Sequence, residues 1–377
     1  MQKNQKKVCF VSMLAYPLYN KKCKNDIFGG GAAVQLYIIS KELTANNNFN
    51  VNIILGNDKL TKNRIELLNK IKLYNIRPIK RKIGYYFFSM INLFITLIRI
   101  NPDVVIQRHA DKVTGICALY CKLFKKKFIY SIASLADVTG VHEKGFLGKF
   151  FKYGLSNAKY IIAQNKEQVL ELEKFKKRQF KNVYIIKNSY KISEVFLENK
   201  EHILWVGRAI GPKRAELFIK LAKKFSNETF VMICNKTDLK DQSIRYWNTI
   251  HNKASITPNL KFIEHVNFHS INEYYEKAKI LVDTSIYAGF PNTMIQAFKN
   301  KTPVLSLNVN PENILTNYKI GLFCNDDFNK MVEYLHKLLE DKELYLSYSE
   351  NCYNYVKKVH DIKENINYWI EVIKNFN

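Results

Sequence analysis

One stretch limits what this chain can fold into more than any other: residues 281–307, LVDTSIYAGFPNTMIQAFKNKTPVLSL. Its apolar start predicts a buried strand over 280–283, and Gly289, Pro291 and Asn292 mark a loop. A helix over about 293–299 and a second short strand over 303–307 complete the unit. A helix that begins just after such a loop leaves its first backbone N–H groups unpaired above the strand ends. That is where α/β sheets bind nucleotides and other anions. An ordinary β-loop-α-β connection has the same local pattern, so the rest of the chain has to decide.

The rest repeats the pattern. A strand over 7–12 is followed by Gly29, Gly30 and Gly31, then a helix over 32–43. Glycines before a helix let a backbone approach a ligand closely, although the run is neither a Walker A loop nor a GxGxxG fingerprint. Strands follow over 50–55 and 71–76, and a helix over 85–100 leads through Asn101-Pro102-Asp103 into a strand over 104–107. Arg108 and His109 come directly after that strand, at a carboxyl end where sites are built. Further βα units carry strands over 128–132, 160–164 and 183–186, with Asp137 in the loop after the first of these. The half ending near residue 190 reads as one doubly wound domain of about seven strands. After a polar connector a second sheet opens at 202–206, followed by Gly207, Arg208, a loop containing Lys213, and a helix over 215–225.

Two domains also suit the 377-residue length. The stretch 83–100 is interrupted by Gly84, Ser89, Asn92 and Arg99 and falls short of a membrane span, so it reads as a helix in the core or on a surface. The segment 8–14 is short and reads as a first strand, so no signal peptide is expected. Seven scattered cysteines without a CxxC pair fit a reducing cytoplasm and argue against a disulfide frame or zinc site. The net charge of +26 is uneven: residues 1–190 hold 34 Lys+Arg against 11 Asp+Glu, whereas 191–377 hold 25 against 22. Nucleic acid, an anionic membrane face or an anionic substrate would each explain a basic first half. No aromatic-basic recognition motif accompanies the charge, which disfavours nucleic acid.

With these residues in view, a family resemblance emerges. LWVGRAIGPKRAELFIKLAKKF resembles the strand, Gly-Arg and Lys-containing loop of family 4 glycosyltransferases. TSIYAGFPNTMIQAFKNKTPVLSLNVNP resembles their second signature, Glu-Gly-Phe-Pro, four variable residues, Glu-Ala, then Pro-Val. The glycine triplet, the Asn-Pro-Asp strand entry and the final helices fit as well, so the resemblance covers nearly the whole chain. It implies a GT-B fold: two Rossmann-like doubly wound domains facing a central cleft, with a C-terminal helix crossing back to the first domain. The expected boundaries are 1–190 for an acceptor-binding domain, 200–355 for a nucleotide-sugar-binding domain and 356–377 for the helix.

The resemblance also implies a retaining transfer of a hexosyl type from a nucleotide-sugar donor. A leaving diphosphate develops negative charge, which fixed cations and N–H dipoles stabilise. Arg208 and Lys213, on one loop, suit a two-cation clamp. No metal or other cofactor is then expected, and the chain offers no Asp-x-Asp pair to hold one. The donor-binding set is Gly29, Gly30, Gly31, Gly207, Gly289, Phe290, Pro291, Asn292, Thr293 and Gln296. Gln296 stands where the family's second Glu contacts ribose hydroxyls, and an amide serves a diol. Ala288 replaces the first Glu and cannot bond a sugar hydroxyl. The loop after the strand over 128–132 lacks the His common in relatives, so His109 and Asp137 become the catalytic candidates there, and Arg108 an acceptor contact.

A basic acceptor domain fits docking at an anionic membrane, with clusters at 21–24, 80–82, 125–127 and 174–178. The segment 85–98 would then insert shallowly, although a core helix is the simpler reading. The leading expectation is a cytoplasmic enzyme on the inner face of the plasma membrane, acting on a glycan or lipid-linked acceptor in surface polysaccharide synthesis. A nucleotide-sugar 2-epimerase of the same fold, or a degenerate homologue that binds without turnover, are the alternatives.

Overall fold

The computed structural model describes residues 5–20, 30–57, 64–77, 83–194, 196–197, 199–236, 241–287 and 289–374. The chain divides into two compact units, one of Met1–Ser189 with Ile362–Asn377 and one of Tyr190–Asp361.

In the first unit, eight strands are seen among the described residues. They are β1 (Lys6–Ser12), β2 (Phe49–Gly56), β3 (Arg64–Leu68), β4 (Ile71–Ile76), β5 (Val104–Arg108), β6 (Lys127–Ser131), β7 (Tyr160–Ala163) and β8 (Val183–Ile185). Their order is β3-β4-β2-β1-β5-β6-β7-β8. Every pair is parallel except β3 with β4. The central strands are apolar along their buried middles, as a parallel sheet covered on both faces requires, and Val8–Val11 and all of β5 are buried. The chain winds outward from β1 in both directions, so the carboxyl ends of β1 and β5 form the topological switch point.

β3 adds a strand to the seven expected. It pairs antiparallel with β4 across a tight turn in which Asn69 and Lys70 both have positive φ, 46° and 69°. The helix Ile83–Ile100 has two faces: Leu93, Leu97 and Ile100 enter the core, while Ile91, Ile95 and Ile98 lie exposed. It is therefore both core and surface, not one or the other. Among the described residues no helix is long and apolar enough to cross a membrane.

The helices Lys112–Leu123 and Gly145–Ser156 cross with their backbones in contact. A Cβ at Gly115 would stand 2.4 Å from the Phe150 carbonyl oxygen, and one at Gly154 would stand 2.6 Å from that of Thr114. Only glycine permits that approach. The helix Ile362–Lys374 packs on the helix Gly30–Ala45, and Asn365 Nδ2 donates to Ser189 Oγ at 2.9 Å.

The second unit holds a six-stranded parallel sheet among its described residues. Its strands are β9 (His202–Arg208), β10 (Phe230–Asn235), β11 (Leu260–Ile263), β12 (Ala278–Asp283), β13 (Val304–Ser306) and β14 (Gly321–Phe323). The order β11-β10-β9-β12-β13-β14 places the switch point between β9 and β12. The helix before β12 is short, Asn272–Glu276, because the chain is already extended at Ala278. Where the chain enters and leaves this unit, Tyr190 N–H donates to the His360 carbonyl at 2.9 Å and Tyr190 bridges Asp361.

Candidate functional site

At the switch point of the second unit, β9 ends in Gly207 and Arg208, and β12 ends in Asp283. Gly207 is required by its neighbour, since a Cβ there would stand 2.7 Å from the Trp205 ring. The loop beyond runs through Ile210 to Arg214 and is tied to the strand-end segment after β12. Trp205 Nε1 donates to Thr284 Oγ1 at 3.0 Å, and that hydroxyl donates to the Lys213 carbonyl at 2.6 Å. Ile286 N–H donates to the Pro212 carbonyl at 2.9 Å. Arg214 Nε donates to the Thr284 carbonyl at 2.8 Å, and its Nη1 pairs with Asp326 at 2.6 Å.

This clamp holds the loop that carries Lys213, one of the two cations predicted for the site. Lys213 Nζ donates to Ser285 Oγ at 3.0 Å, and Lys213, Asp283, Ser285 and Thr293 line one small pocket. Arg208 lies exposed at the strand end. The helix Asn292–Phe298 starts one residue earlier than expected. Its N-cap, Pro291, supplies no side-chain acceptor, so the first-turn N–H groups receive no side-chain cap. Phe290 is buried against His360, with ring centroids 4.9 Å apart, so its ring faces the core. Gln296 is half-buried and directs Nε2 to the Asn292 carbonyl at 3.4 Å, a weak contact. Gly289 precedes this set; Ala288 lies outside the described residues. At the neighbouring strand ends, His265 Nδ1 lies 3.0 Å from Asn235 Oδ1, and burial lowers the His265 pKa.

In the first unit, Gly30 opens the helix Gly30–Ala45, Arg108 ends β5, the strand paired beside β1, and His109 follows it. Gly30 has φ +64°, a conformation that favours glycine, and its Cβ position faces open space. Gly31 follows it in the helix, whereas Gly29 lies outside the described residues. Arg108 is buried and donates from Nη2 to Asn188 Oδ1 at 2.8 Å. Asn188 in turn donates to Gln164 Oε1 at 2.7 Å, and Gln164 Nε2 donates to the Ile132 and Ala133 carbonyls. His109 is exposed and held at φ +84°, a strained value for histidine; the Gln107 side-chain amide donates to its carbonyl at 2.7 Å. Its ring centroid lies 6.2 Å from that of His142.

Asp137 departs from its expected role. The residue is buried, and its carboxylate accepts from Tyr130 Oη at 2.9 Å, Ala133 N–H at 2.8 Å and Ser134 Oγ at 3.0 Å. It pins the loop after β6 and has no face left for an acceptor. The carboxylate also helps to raise the Tyr130 pKa well above its usual value, after burial, the larger cause.

Thus Gly207, Arg208, Lys213 and residues 289–296 gather in the second unit, while Gly30, Gly31, Arg108 and His109 lie at the switch point of the first. The residue types gave no warning of Arg214 and Thr284, which hold the cation loop, or of the Gln164–Asn188 network beneath Arg108. The available signal was weak: polar residues at the last position of apolar strands.

Comparison with known proteins identifies the family and the fold. A family model described as glycosyl transferases group 1 matches residues 186–355, and one described as glycosyl transferase 4-like matches residues 7–165. No curated protein sequence matches the chain. Among solved structures, sucrose-phosphate synthase from Thermosynechococcus elongatus is similar, with a TM-score of 0.78 at 12% identity over 98% of this chain and 99% of that one. HepE of Anabaena, solved with UDP and glucose, has a TM-score of 0.74 at 13% identity over 99% of this chain and 100% of that one. A glycosyltransferase from Rickettsia africae has a TM-score of 0.73 at 14% identity, over 99% and 98% of the two chains. With family models on both halves and this architecture throughout, the chain belongs to the family 4-like glycosyltransferases of the GT-B fold.

Proposed function

We propose that the protein is a retaining glycosyltransferase whose second unit binds a nucleotide-sugar donor and whose first unit binds the acceptor. The observation that carries this reading is Arg208 at the end of β9 with Lys213 on the clamped loop after it, both at the β9–β12 switch point. As the glycosidic bond breaks, its electron pair passes to the diphosphate oxygen. Arg208 engages two phosphate oxygens through its planar fork, and Lys213, oriented by Ser285, adds a point charge. The first-turn N–H groups, from Asn292 and Thr293, add fixed dipoles. With two cations in these roles, no metal is needed. In an ion-pair mechanism the leaving phosphate takes the acceptor's proton, so the lack of a loop base is tolerated. HepE of Anabaena has also been solved with UDP-glucose, which supports a nucleotide-sugar donor for this fold.

The basic first half supports an acceptor carried on an anionic surface: a glycan or lipid-linked acceptor at the inner face of the plasma membrane, in surface polysaccharide synthesis. A panel of UDP-, GDP- and other nucleotide-sugars, followed for donor consumption with membrane extract as acceptor, tests the reading. Arg208→Ala and Lys213→Ala are each expected to lower turnover by about 10²–10³-fold. Unchanged turnover in both would remove them from the site. Gln296, which bonds its own helix, favours one competing reading, a protein that binds nucleotide without turnover. Binding without consumption of any donor would establish that instead.

A further inference from the structure

We propose that the exposed face of the helix Ile83–Ile100, extended by Leu123 and Phe124, is the surface by which the first unit docks on an anionic lipid bilayer. The inference rests on the reading of a membrane-borne acceptor and assigns the contact to named residues.

Phe88, Ile91, Ile95 and Ile98 recur at spacings that set them on one side of the helix, and each is 40–79% exposed. The opposite side, Leu93, Leu97 and Ile100, is in the core, which fixes the orientation of the exposed side. Phe94 carries the apolar surface across to the next helix, its ring centroid 6.1 Å from Tyr120 and 6.3 Å from Phe124. Phe124 stacks on Tyr120 at 5.0 Å, and both it and Leu123 are exposed. A continuous apolar strip of this kind marks an interaction surface.

Charge identifies the partner. The helix contains no acidic residue and ends with exposed Arg99; Lys122, Lys125 and Lys126 border Leu123 and Phe124. Beyond them lies an open cleft of about 500 Å³ lined by Lys122, Lys126 and Lys159 with Asn157 and Asn182. It is wide enough for a lipid phosphate headgroup. Lys126 also pairs with Asp103 at 3.6 Å, and Lys122 lies over the Tyr153 ring. Burial, and after it the proximity of Lys6 and Lys159, lowers the Lys127 pKa. A second copy of this chain would bring one basic rim against another, whereas an anionic bilayer neutralises both sides of the strip. Apolar side chains flanked by Lys and Arg suit a helix lying in the membrane plane.

The test is flotation of the full chain with vesicles of phosphatidylglycerol and phosphatidylcholine, and with phosphatidylcholine alone. The expected result is binding to the anionic vesicles that weakens as salt rises. The pair Ile91→Ser with Ile95→Ser should raise the lipid needed for half-binding by roughly tenfold or more. The pair Lys122→Ala with Lys159→Ala should weaken binding by roughly fivefold per residue and flatten its salt dependence. Consumption of a soluble donor and far-ultraviolet circular dichroism should be unchanged in both, since these residues are exposed and remote in sequence from the donor loops. Absence of wild-type binding to anionic vesicles overturns the membrane-borne acceptor and this surface together. Wild-type binding that the Ile91 and Ile95 substitutions leave intact overturns this surface alone. Substitutions that dissolve a dimer in sedimentation velocity, without changing lipid binding, assign the strip to a second copy and also overturn it.

Discussion

Replacing Arg214 isolates how the cation loop is held. Its Nε bond to the Thr284 carbonyl, at 2.8 Å, is charge-assisted and contributes roughly 1.5–3 kcal/mol. The Nη2 contact with the Ser285 carbonyl, at 3.4 Å, is too long to add much. The ion pair with Asp326, whose side chain is 49% exposed, is screened and contributes about 0.5 kcal/mol. Arg214 also has φ +46°, a left-handed conformation that costs any non-glycine residue about 1 kcal/mol. Arg214→Ala loses the bonds and keeps the strain, so it should destabilise the second unit by about 2 kcal/mol. Arg214→Gly should be less damaging in the folded state by about 1 kcal/mol, an advantage reduced by glycine's greater freedom when unfolded. Two of the three tryptophans, Trp205 and Trp247, are in that unit, so urea unfolding followed by fluorescence reports on it. Because Lys213 is the adjacent residue, a shift of about 1 Å in its amine should cost about a hundredfold in turnover. Asp326→Asn, as a control, should change stability by less than about 1 kcal/mol and leave turnover near wild type. If Arg214→Ala unfolds like wild type and turns over within twofold of it, the clamp is not what positions Lys213.

Three further outcomes follow from the structure. Burial lowers the Lys200 pKa from 10.5 to about 8, so between those values the unfolded chain binds more protons and stability from this group rises with pH. The stability of wild type relative to Lys200→Met should therefore climb by up to about 1.4 kcal/mol per pH unit in that window, and a flat difference in urea unfolding refutes it. Gly115→Ala forces a methyl group against the Phe150 carbonyl and should cost about 1–3 kcal/mol in thermal unfolding, whereas an unchanged midpoint would mean that the helices separate freely. Asp137→Ala leaves three donors without their acceptor and should cost about 3 kcal/mol or more while leaving donor KM unchanged. A variant of wild-type stability with slowed acceptor transfer would return Asp137 to the acceptor site.

The alternation of apolar strands and helices was legible because parallel strands buried on both faces read as apolar runs, as in Val104, Val105 and Ile106 of β5. β3 was not legible for the converse reason: Ile65 and Leu67 are exposed on an outer strand, so no buried face organises its pattern. Arg208 and Lys213 stood out because a glycine and two cations interrupt an apolar strand end. Arg214 looked like one more surface cation, since its role depends on how β9 registers with β12 and where Thr284 then falls. Asp137 misled for a related reason. An acid in a strand-end loop looks catalytic until Tyr130, seven residues before it, is seen to turn inward and donate to it.

The chain leaves the first unit after Ser189 and returns to it at Ile362, and Asn365 holds Ser189 through a side-chain bond. In the order of synthesis, the second unit is a cassette inserted into the first. A ribosome finishes the second unit before it releases the helix that completes the first, so the Gly30–Ala45 surface waits uncovered for the length of an entire domain. The same topology makes the halves separable at the gene level. Joining Ser189 to Ile362 through a short linker should yield the first unit alone, and Tyr190–Asp361, its ends already paired by a backbone bond, should yield the second. The second unit could then be exchanged between relatives as a block, without redrawing the first.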